Sequence, residues 1–288
     1  MRPDRPEAPF GRRETEVTDS HRDGGYRVFT LHDELGPEPI PGQFYMLTNA
    51  PDWPATAGRP YLPRAISFAR SDSGDSGITL DFIIHEVGPG TSALAGLAEG
   101  DRCWLAGPFG RPFSIPEQVK AGSHGAILVG GGIGIAPIAA FRRRLVEAGV
   151  PSRTLLGFRD AEHSGGIDDF FGCEQVGLAF EDGSRGHHGY VTDLLATMLA
   201  GDDTGGAVVY SCGPPGLLEK VRQMCAEGGV SCELALESPM ACGFGACFGC
   251  AVPKPDGSYL RLCVDGAVVR GDEISSAAPG EIQRPELP

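Results

Sequence analysis

The sequence predicts a β + α/β protein: an N-terminal antiparallel β-barrel, a parallel-sheet domain, and a small C-terminal cysteine-bearing module. Three observations predict it. From Glu14 to about Ile115, short apolar runs alternate with Gly- and Pro-rich turns, the pattern of a small antiparallel barrel. From about Gly122 the rhythm becomes strand, helix, strand, helix, which means βαβ units on a parallel sheet. After Ser238 that rhythm stops, and Cys242, Cys247 and Cys250 fall within nine residues, with three glycines between them.

Bulk properties narrow the class. A chain of 288 residues suits two domains and an appendage. Its net charge of −14 disfavours nucleic acid and anionic membrane surfaces as partners. No run of about 18 apolar residues is present, so no membrane-spanning helix is expected. The start, "MRPDRPEAPFGRRE", lacks an apolar h-region and does not read as a secretory signal. Nine cysteines are an odd count, crowded toward one end. They argue against a disulfide framework and for a reducing, cytoplasmic setting.

Taken in order, residues 1–13 read as a flexible arm. The barrel, 14–118, is carried by "YRVFTLHD" (26–33), "GQFYMLTN" (42–49), "RAISFAR" (64–70), "GITLDFIIHEV" (77–87) and "DRCWLAGP" (101–108). In the α/β domain, 119–236, strand "HGAILVGGG" leads into a helix within 133–150. Strands "SRTLLGFRD" and "VGLAFEDGS", helix "VTDLLATMLA", strand "GAVVYSCGPP", helix "GLLEKVRQMCAEGG" and last strand "SCELALES" (231–238) follow. The module occupies 237–288.

Chemistry concentrates in three places. In "GAILVGGGIGIAPI", Gly130, Gly131, Gly132 and Gly134 lie between strand and helix, with Ala136 and Pro137 in the first helical turn. Such a turn lets backbone approach a phosphate, and the helix amides attract the anion. The pattern is G-x-G-x-A-P rather than the full G-x-G-x-x-G. "YSCGPPG" ends a later strand, so Cys212, Gly213 and Pro214 are expected at the same crevice. Arg159 and Asp160 end the second strand. The arginine suits a 2′-phosphate and the aspartate a ribose diol, which leaves NAD or NADP open.

In the barrel, Arg64 and Ser67 form R-x-x-S. An arginine can clamp a pyrophosphate and a hydroxyl can donate to a flavin ring, although positions i and i+3 on a strand face opposite sides unless a kink intervenes. Gly88, Gly90 and Thr91 precede a short helix that Thr91 is expected to cap. Barrel, R-x-x-S, "GPGT", "GPFG" (107–110) and G-x-G-x-A-P in this order resemble the ferredoxin–NADP reductase superfamily. The resemblance implies a flavin in the barrel and a nicotinamide nucleotide in the second domain.

The cysteine spacing is C-x4-C-x2-C-x12-C, ending at Cys263. Its first part matches the plant-type iron–sulfur pattern, and four thiolates around two irons is the demand it meets. Structural zinc prefers two short hooks, and only one is present. "AVPKPDGSYLRL" reads as a hairpin turning at Asp256-Gly257 that returns Cys263 to the other three. Cys103, Cys173, Cys225 and Cys232 read as small apolar residues.

With this module in place the chain resembles the electron transfer subunit family of dihydroorotate dehydrogenase B, through "ISF" after Arg64, "EDGS…GYVTDLL", "SCGPPGLLEKV", "LESPMACGFGACFGCAVP" and "RLCVDGAVV". The resemblance implies FAD held by Arg64, Ala65, Ile66 and Ser67, by Ile83, Ile84 and His85, and by Gly90 and Thr91. It implies a [2Fe–2S] cluster on Cys242, Cys247, Cys250 and Cys263. NAD(H) would dock along Gly130–Pro137 and Cys212–Pro214. It further implies an oxidoreductase that serves pyrimidine (UMP) biosynthesis, in a heterotetramer of two such chains with two FMN-containing catalytic chains. Sulfide dehydrogenase and NADH-dependent ferredoxin–NADP reductase subunits share the body, and the alternative reading is a FAD/[2Fe–2S] reductase subunit for such a partner or for an oxygenase. The first two tend to carry Asp where Cys242 stands. The arm and the stretch 49–63 are long for the family.

Overall fold

The computed structural model describes residues 11–49, 62–117, 119, 125–172, 176–201 and 206–278. Most of the expected arm, most of the stretch 49–63, and Cys173 lie outside the described residues.

The first half forms a closed barrel. Its strands are β1 (Arg13–Asp23), β2 (Tyr26–Asp33), β3 (Phe44–Asn49), β4 (Arg64–Gly74), β5 (Gly77–His85) and β6 (Arg102–Phe109), in the order β1-β2-β5-β4-β3-β6. Helix α1 (Pro89–Ala95) lies between β5 and β6. Phe29, Leu31, Tyr45, Leu47, Phe68, Leu80 and Phe82 fill the interior. Closure runs through β1, which pairs with β6 from Arg13↔Leu105 to Glu16↔Arg102. Arg13 donates to the buried Asp33 at 2.8 Å and to the Gly107 carbonyl at 2.8 Å, so a charge drawn inside has its partners.

One irregularity prepares a site. β4 pairs with β3 over Arg64–Ser67, but with β5 only from Phe68 onward, with a register shift between Phe68 and Arg70. β5 stays paired with β2 up to Tyr26↔His85. Past the Phe68↔Phe82 pair, β4 and β5 splay apart. Arg64–Ser67 and Ile83–His85 are left as facing strand edges without a common ladder.

The second half is a seven-stranded sheet. It contains β7 (Ala126–Gly131), β8 (Ser152–Phe158), β9 (Val176–Phe180), β10 (His187–His188), β11 (Val208–Cys212), β12 (Ser231–Ala235) and β15 (Val268–Arg270), in the order β10-β9-β8-β7-β11-β12-β15. The helices are α2 (Ile135–Glu147), α3 (Ile167–Phe170), α4 (Val191–Leu199) and α5 (Pro215–Gly228). β7 and β11 are buried at every residue, as parallel strands covered on both faces must be. Chain order reverses between β7 and β11, which makes that gap the switch point. α2 also packs on β4, and so joins the two halves.

The last segment gives the hairpin β13 (Ala251–Pro253) and β14 (Tyr259–Arg261), then α6 (Leu262–Asp265) and β15. The sequence did not announce β15. It adds antiparallel to β12, from Glu233↔Arg270 to Ala235↔Val268, and so seats the cysteine segment against the sheet edge. Among the described residues no helix is long and apolar enough to cross a membrane.

Candidate functional site

Two cavities meet between the halves. The larger, about 720 Å³, lies at the carboxyl ends of β7, β8, β9 and β11. Gly131, Gly132, Arg159, His163, Glu181, Asp193, Pro214 and Lys220 are among the residues that line it. The smaller, about 470 Å³, lies between the splayed strands and is lined by Arg64, Ala65, Ile66, Ser67, Ile83, Thr91, Leu236, Glu237 and Met240, among others. His85 and Ile133 line both cavities, so the two are neighbours across a single wall.

The expected nucleotide residues divide between them. Gly131, Gly132 and Pro214 face the larger cavity. Gly134, Ala136, Pro137 and Cys212 face the smaller one. Gly130 and Gly213 line neither and serve packing: a Cβ on Gly130 would meet Leu156 at 2.9 Å, and Gly213 stands 3.1 Å from Gly131 by the same measure. At Gly134 a Cβ would lie 2.5 Å from the Cys212 carbonyl carbon and oxygen and the Gly213 nitrogen. Only glycine lets α2 start this close to the end of β11.

In the smaller cavity, Arg64 and Ser67 share one space despite their i, i+3 spacing, because β4 changes partners at that point. Ile84 is fully buried in the barrel interior and is not on the cavity's lining. Gly90 packs flat against the Arg64 guanidinium. Thr91 departs from its expected capping place. It is the third residue of α1, and its Oγ1 accepts the amides of Val87 (2.9 Å) and Gly88 (3.1 Å) while donating to the Gly88 carbonyl. The helix starts earlier because Pro89 is ready-made for a first turn. Facing strand edges, a clamping arginine and a glycine floor fit a flavin and its diphosphate. Glu237 opens onto the cavity but is ringed by protein, and this desolvation raises its carboxyl above the ordinary range. Burial likewise pushes the Cys212 thiol well up.

A polar cluster stands where the cavities meet. Tyr26 donates to the His163 carbonyl at 2.8 Å, and its ring meets His85 edge-on at 5.2 Å. His163 Nδ1 lies 2.6 Å from Asp160 Oδ1, and Arg159 reaches both Asp160 (3.0 Å) and His163 Nε2 (2.7 Å). The His163 and Arg159 contacts hold Asp160 below the usual carboxylate range. Burial, then the nearby His163 and Arg159, lowers His85. Sequence reasoning missed Tyr26 and His163, since neither stands in a motif.

The four cysteines converge. Cys250 Sγ and Cys263 Sγ are 3.3 Å apart and buried, whereas Cys242 is half-buried and Cys247 exposed. The Ala246 amide donates to Cys242 Sγ at 3.3 Å, and the Gly249 amide to Cys247 Sγ at 3.5 Å. Burial raises the Cys242 thiol, but amides of Cys247, Phe244 and Ala246 outweigh it and bring it to about 7. Gly243 and Gly245 have φ of +77° and +89°, and a side chain on either would strike Met46 or Val264. The loop therefore passes tightly between barrel and α6. Among the described residues no group of three or more His, Cys, Asp or Glu is placed to hold a single metal ion. The chemistry of the donor set, four thiols of which Cys242 and Cys247 accept backbone amides, is that of an iron–sulfur site. Met240, two residues before Cys242, lines the smaller cavity, so the cysteine segment and the barrel site are contiguous.

Comparison with known proteins agrees with this arrangement. The iron–sulfur cluster binding domain of dihydroorotate dehydrogenase B matches residues 237–275. The dihydroorotate dehydrogenase B (NAD(+)) electron transfer subunit of Caldanaerobacter subterraneus is 33% identical over 243 residues, covering 83% of this chain and 88% of the relative. The corresponding subunit of Listeria monocytogenes is 34% identical, covering 81% and 87%. An NADH-dependent reduced ferredoxin–NADP oxidoreductase, solved in work on flavin-based electron bifurcation, superposes with a TM-score of 0.78 at 25% identity, covering 93% of this chain and 91% of that one. The ferredoxin reductase of carbazole 1,9a-dioxygenase, at 23% identity and a TM-score of 0.62 over 78% and 68%, shares the fold.

Proposed function

The chain belongs to the family of dihydroorotate dehydrogenase B electron transfer subunits, and from that premise we propose that it moves electrons between NAD(H) and an FMN-containing dihydroorotate dehydrogenase catalytic subunit, by way of FAD and a [2Fe–2S] cluster. The observation that carries this reading is the sharing of His85 and Ile133 by the two cavities. A dinucleotide in one and a flavin in the other would meet across that wall. FAD, when bound, converts two-electron hydride chemistry into the one-electron chemistry that a cluster can use.

The chain's own residues position and tune. In this reading Arg64 clamps the flavin diphosphate, while the facing edges at Arg64–Ser67 and Ile83–His85 offer backbone donors and acceptors to the ring. Gly131, Gly132 and Pro214 seat the dinucleotide, and Gly134, Ala136, Pro137 and Cys212 form the flavin-facing side of the switch point. Cys242, Cys247, Cys250 and Cys263 hold the cluster, and the Ala246 and Gly249 amides offset negative charge on the sulfurs. In this reading electrons leave for the partner from the side of the exposed Cys247. We assign the barrel to 14–118, the nucleotide domain to 119–236 and the cluster module to 237–288. A cytoplasmic heterotetramer of two such chains with two catalytic chains, serving pyrimidine biosynthesis, completes the proposal.

Anaerobic affinity purification of the chain from its own cells tests the partner. Recovery of an FMN-containing subunit that oxidises dihydroorotate supports the proposal. Recovery of an oxygenase or a sulfur-reducing enzyme in its place overturns it.

A further inference from the structure

Resting on the reading that the larger cavity takes a nicotinamide dinucleotide, we infer that Asp23 and Tyr26, at the turn between β1 and β2, are positioning residues for that ligand: they clamp the loop that walls the cavity, so that the dinucleotide meets a wall already in place. The loop is residues 159–166, between β8 and α3. It carries Arg159 and His163, both on the cavity's lining. The barrel holds it at three backbone points between Glu162 and Gly166. The Gly25 amide donates to the Glu162 carbonyl at 2.6 Å, the Tyr26 hydroxyl donates to the His163 carbonyl at 2.8 Å, and the Asp23 carboxylate accepts the Gly166 amide at 2.7 Å. Close approach is built into the backbone. A Cβ on Gly24, whose φ is +56°, would lie 2.5 Å from the Glu162 carbonyl oxygen, and one on Gly165 would strike the Asp23 carbonyl.

Asp23 lines neither cavity, so its action on a ligand runs through the loop. The Arg159, Asp160 and His163 contacts lie within the loop and keep its shape, not its place. Its place comes from the barrel. Gly166 directly precedes α3 and has no side chain to cap it; the carboxylate of Asp23 supplies that acceptor from the other half of the chain. Tyr26 holds the wall twice. Its hydroxyl fixes the His163 main chain, and its ring stands edge-on to His85 at 5.2 Å, while the His163 ring meets His85 edge-on at 5.6 Å. His85 belongs to the wall that both cavities share, so a loosened loop would take His163 away from that wall. The clamp is not what joins the two halves, because α2 packs on β4 independently. Without the clamp the loop would be docked for a fraction of the time, and the apparent affinity for a dinucleotide would fall by that fraction. A bound dinucleotide restores the docked wall, so the limiting rate of flavin reduction is spared.

The test is anaerobic stopped-flow reduction of the FAD-loaded chain by NADH, which separates the dissociation constant for NADH from the limiting rate. It is run on wild type, Asp23→Ala, Asp23→Asn, Tyr26→Phe and the Asp23→Ala, Tyr26→Phe double variant. Asp23→Ala and Tyr26→Phe should each weaken NADH binding about 3–15-fold, the range of one lost hydrogen bond, with the limiting rate within about threefold of wild type. The double variant should lose less than the product of the two, because both residues hold one loop. Asp23→Asn keeps an acceptor oxygen and should recover most of the affinity. Thermal melting and flavin content report folding; should Asp23→Ala fail to fold, Tyr26→Phe decides by the same criterion. Unchanged NADH affinity in the folded variants overturns this inference alone. So does an asparagine variant as weak as the alanine one, or a fall in limiting rate with affinity kept. Failure of NADH to reduce the wild-type flavin overturns the reading of the cavity on which the inference rests.

Discussion

Gly90→Ala probes the flavin site through the Arg64 side chain, leaving in place the backbone edges proposed to contact the cofactor's ring. A Cβ at this position would lie 2.3 Å from Arg64 Nε and 2.4 Å from its Cζ and Nη2. Favourable heavy-atom contact begins at about 3.5 Å, so the guanidinium must move by roughly 1 Å or more. The displaced group is the far end of a flexible side chain, and alanine favours a helix more than glycine by about 0.5–1 kcal/mol. Stability of the cofactor-free chain should therefore change by no more than about 1 kcal/mol in either direction. Flavin binding should not escape. Losing a well-placed, charge-assisted contact costs about 1.5–3 kcal/mol, which is about 10–150-fold in Kd. The assay is quenching of FAD fluorescence on titration into deflavinated protein, with Arg64→Ala alongside and thermal melting of each. Binding by Gly90→Ala within about twofold of wild type would refute the role given to Arg64. So would normal binding by Arg64→Ala.

Four further outcomes follow from the same geometry. Gly134→Ala places its Cβ against the Cys212–Gly213 backbone, which cannot step aside, and should destabilise the chain by about 1–3 kcal/mol in urea unfolding. Cys247→Ser should lose iron, sulfide and partner-coupled turnover while retaining FAD, read by metal and flavin analysis; coupled turnover in the variant would break the proposed wiring. Glu219 is held down to about 2, first by Arg222, and also accepts the Ala277 amide at 2.8 Å. A lowered carboxyl contributes stability above its ordinary value near 4.5 that is lost as pH falls toward about 2. Glu219→Gln should thus cost about 1–2 kcal/mol at pH 7, allowing for solvent screening, with the gap to wild type narrowing as pH falls below 4.5 and closing only below about 2. Gly243→Val, whose side chain would strike Met46, should impair cluster retention more than flavin binding, measured by iron-to-flavin ratio.

Local signals carried far in this sequence. β2 spans the very residues 26–33 read as a strand, because its alternating burial is written in "YRVFTLHD". The strand–turn–helix at 126–147 and the Asp256-Gly257 hairpin were legible for the same reason: glycine and period announce them. Non-local features were not. Barrel closure depends on β1 finding β6 some 90 residues away, as the Arg13↔Leu105 pair shows, and β15 is three residues with no pattern of its own. The juxtaposition of Arg64 and Ser67 depends on a partner exchange in β4 that spacing alone argues against. The glycine turn was legible as a site, but its division between two cavities was not, since that depends on how closely α2 begins beside β11. Tyr26 and His163 meet only because the barrel and the sheet face each other.

The central claim is that one chain joins a nicotinamide nucleotide to single-electron exit through a flavin and four cysteines. Anaerobic purification with flavin, iron and acid-labile sulfide analysis, followed by titration with NADH under visible and electron paramagnetic resonance detection, tests it most directly. The account predicts one FAD, two irons and two sulfides per chain, loss of the flavin and cluster absorbance on NADH addition, and a reduced-cluster signal that Cys263→Ser abolishes. A colourless, zinc-bearing chain prepared with FAD, iron and sulfide in supply, or a chain whose cluster stays oxidised when NADH has reduced its flavin, would contradict it.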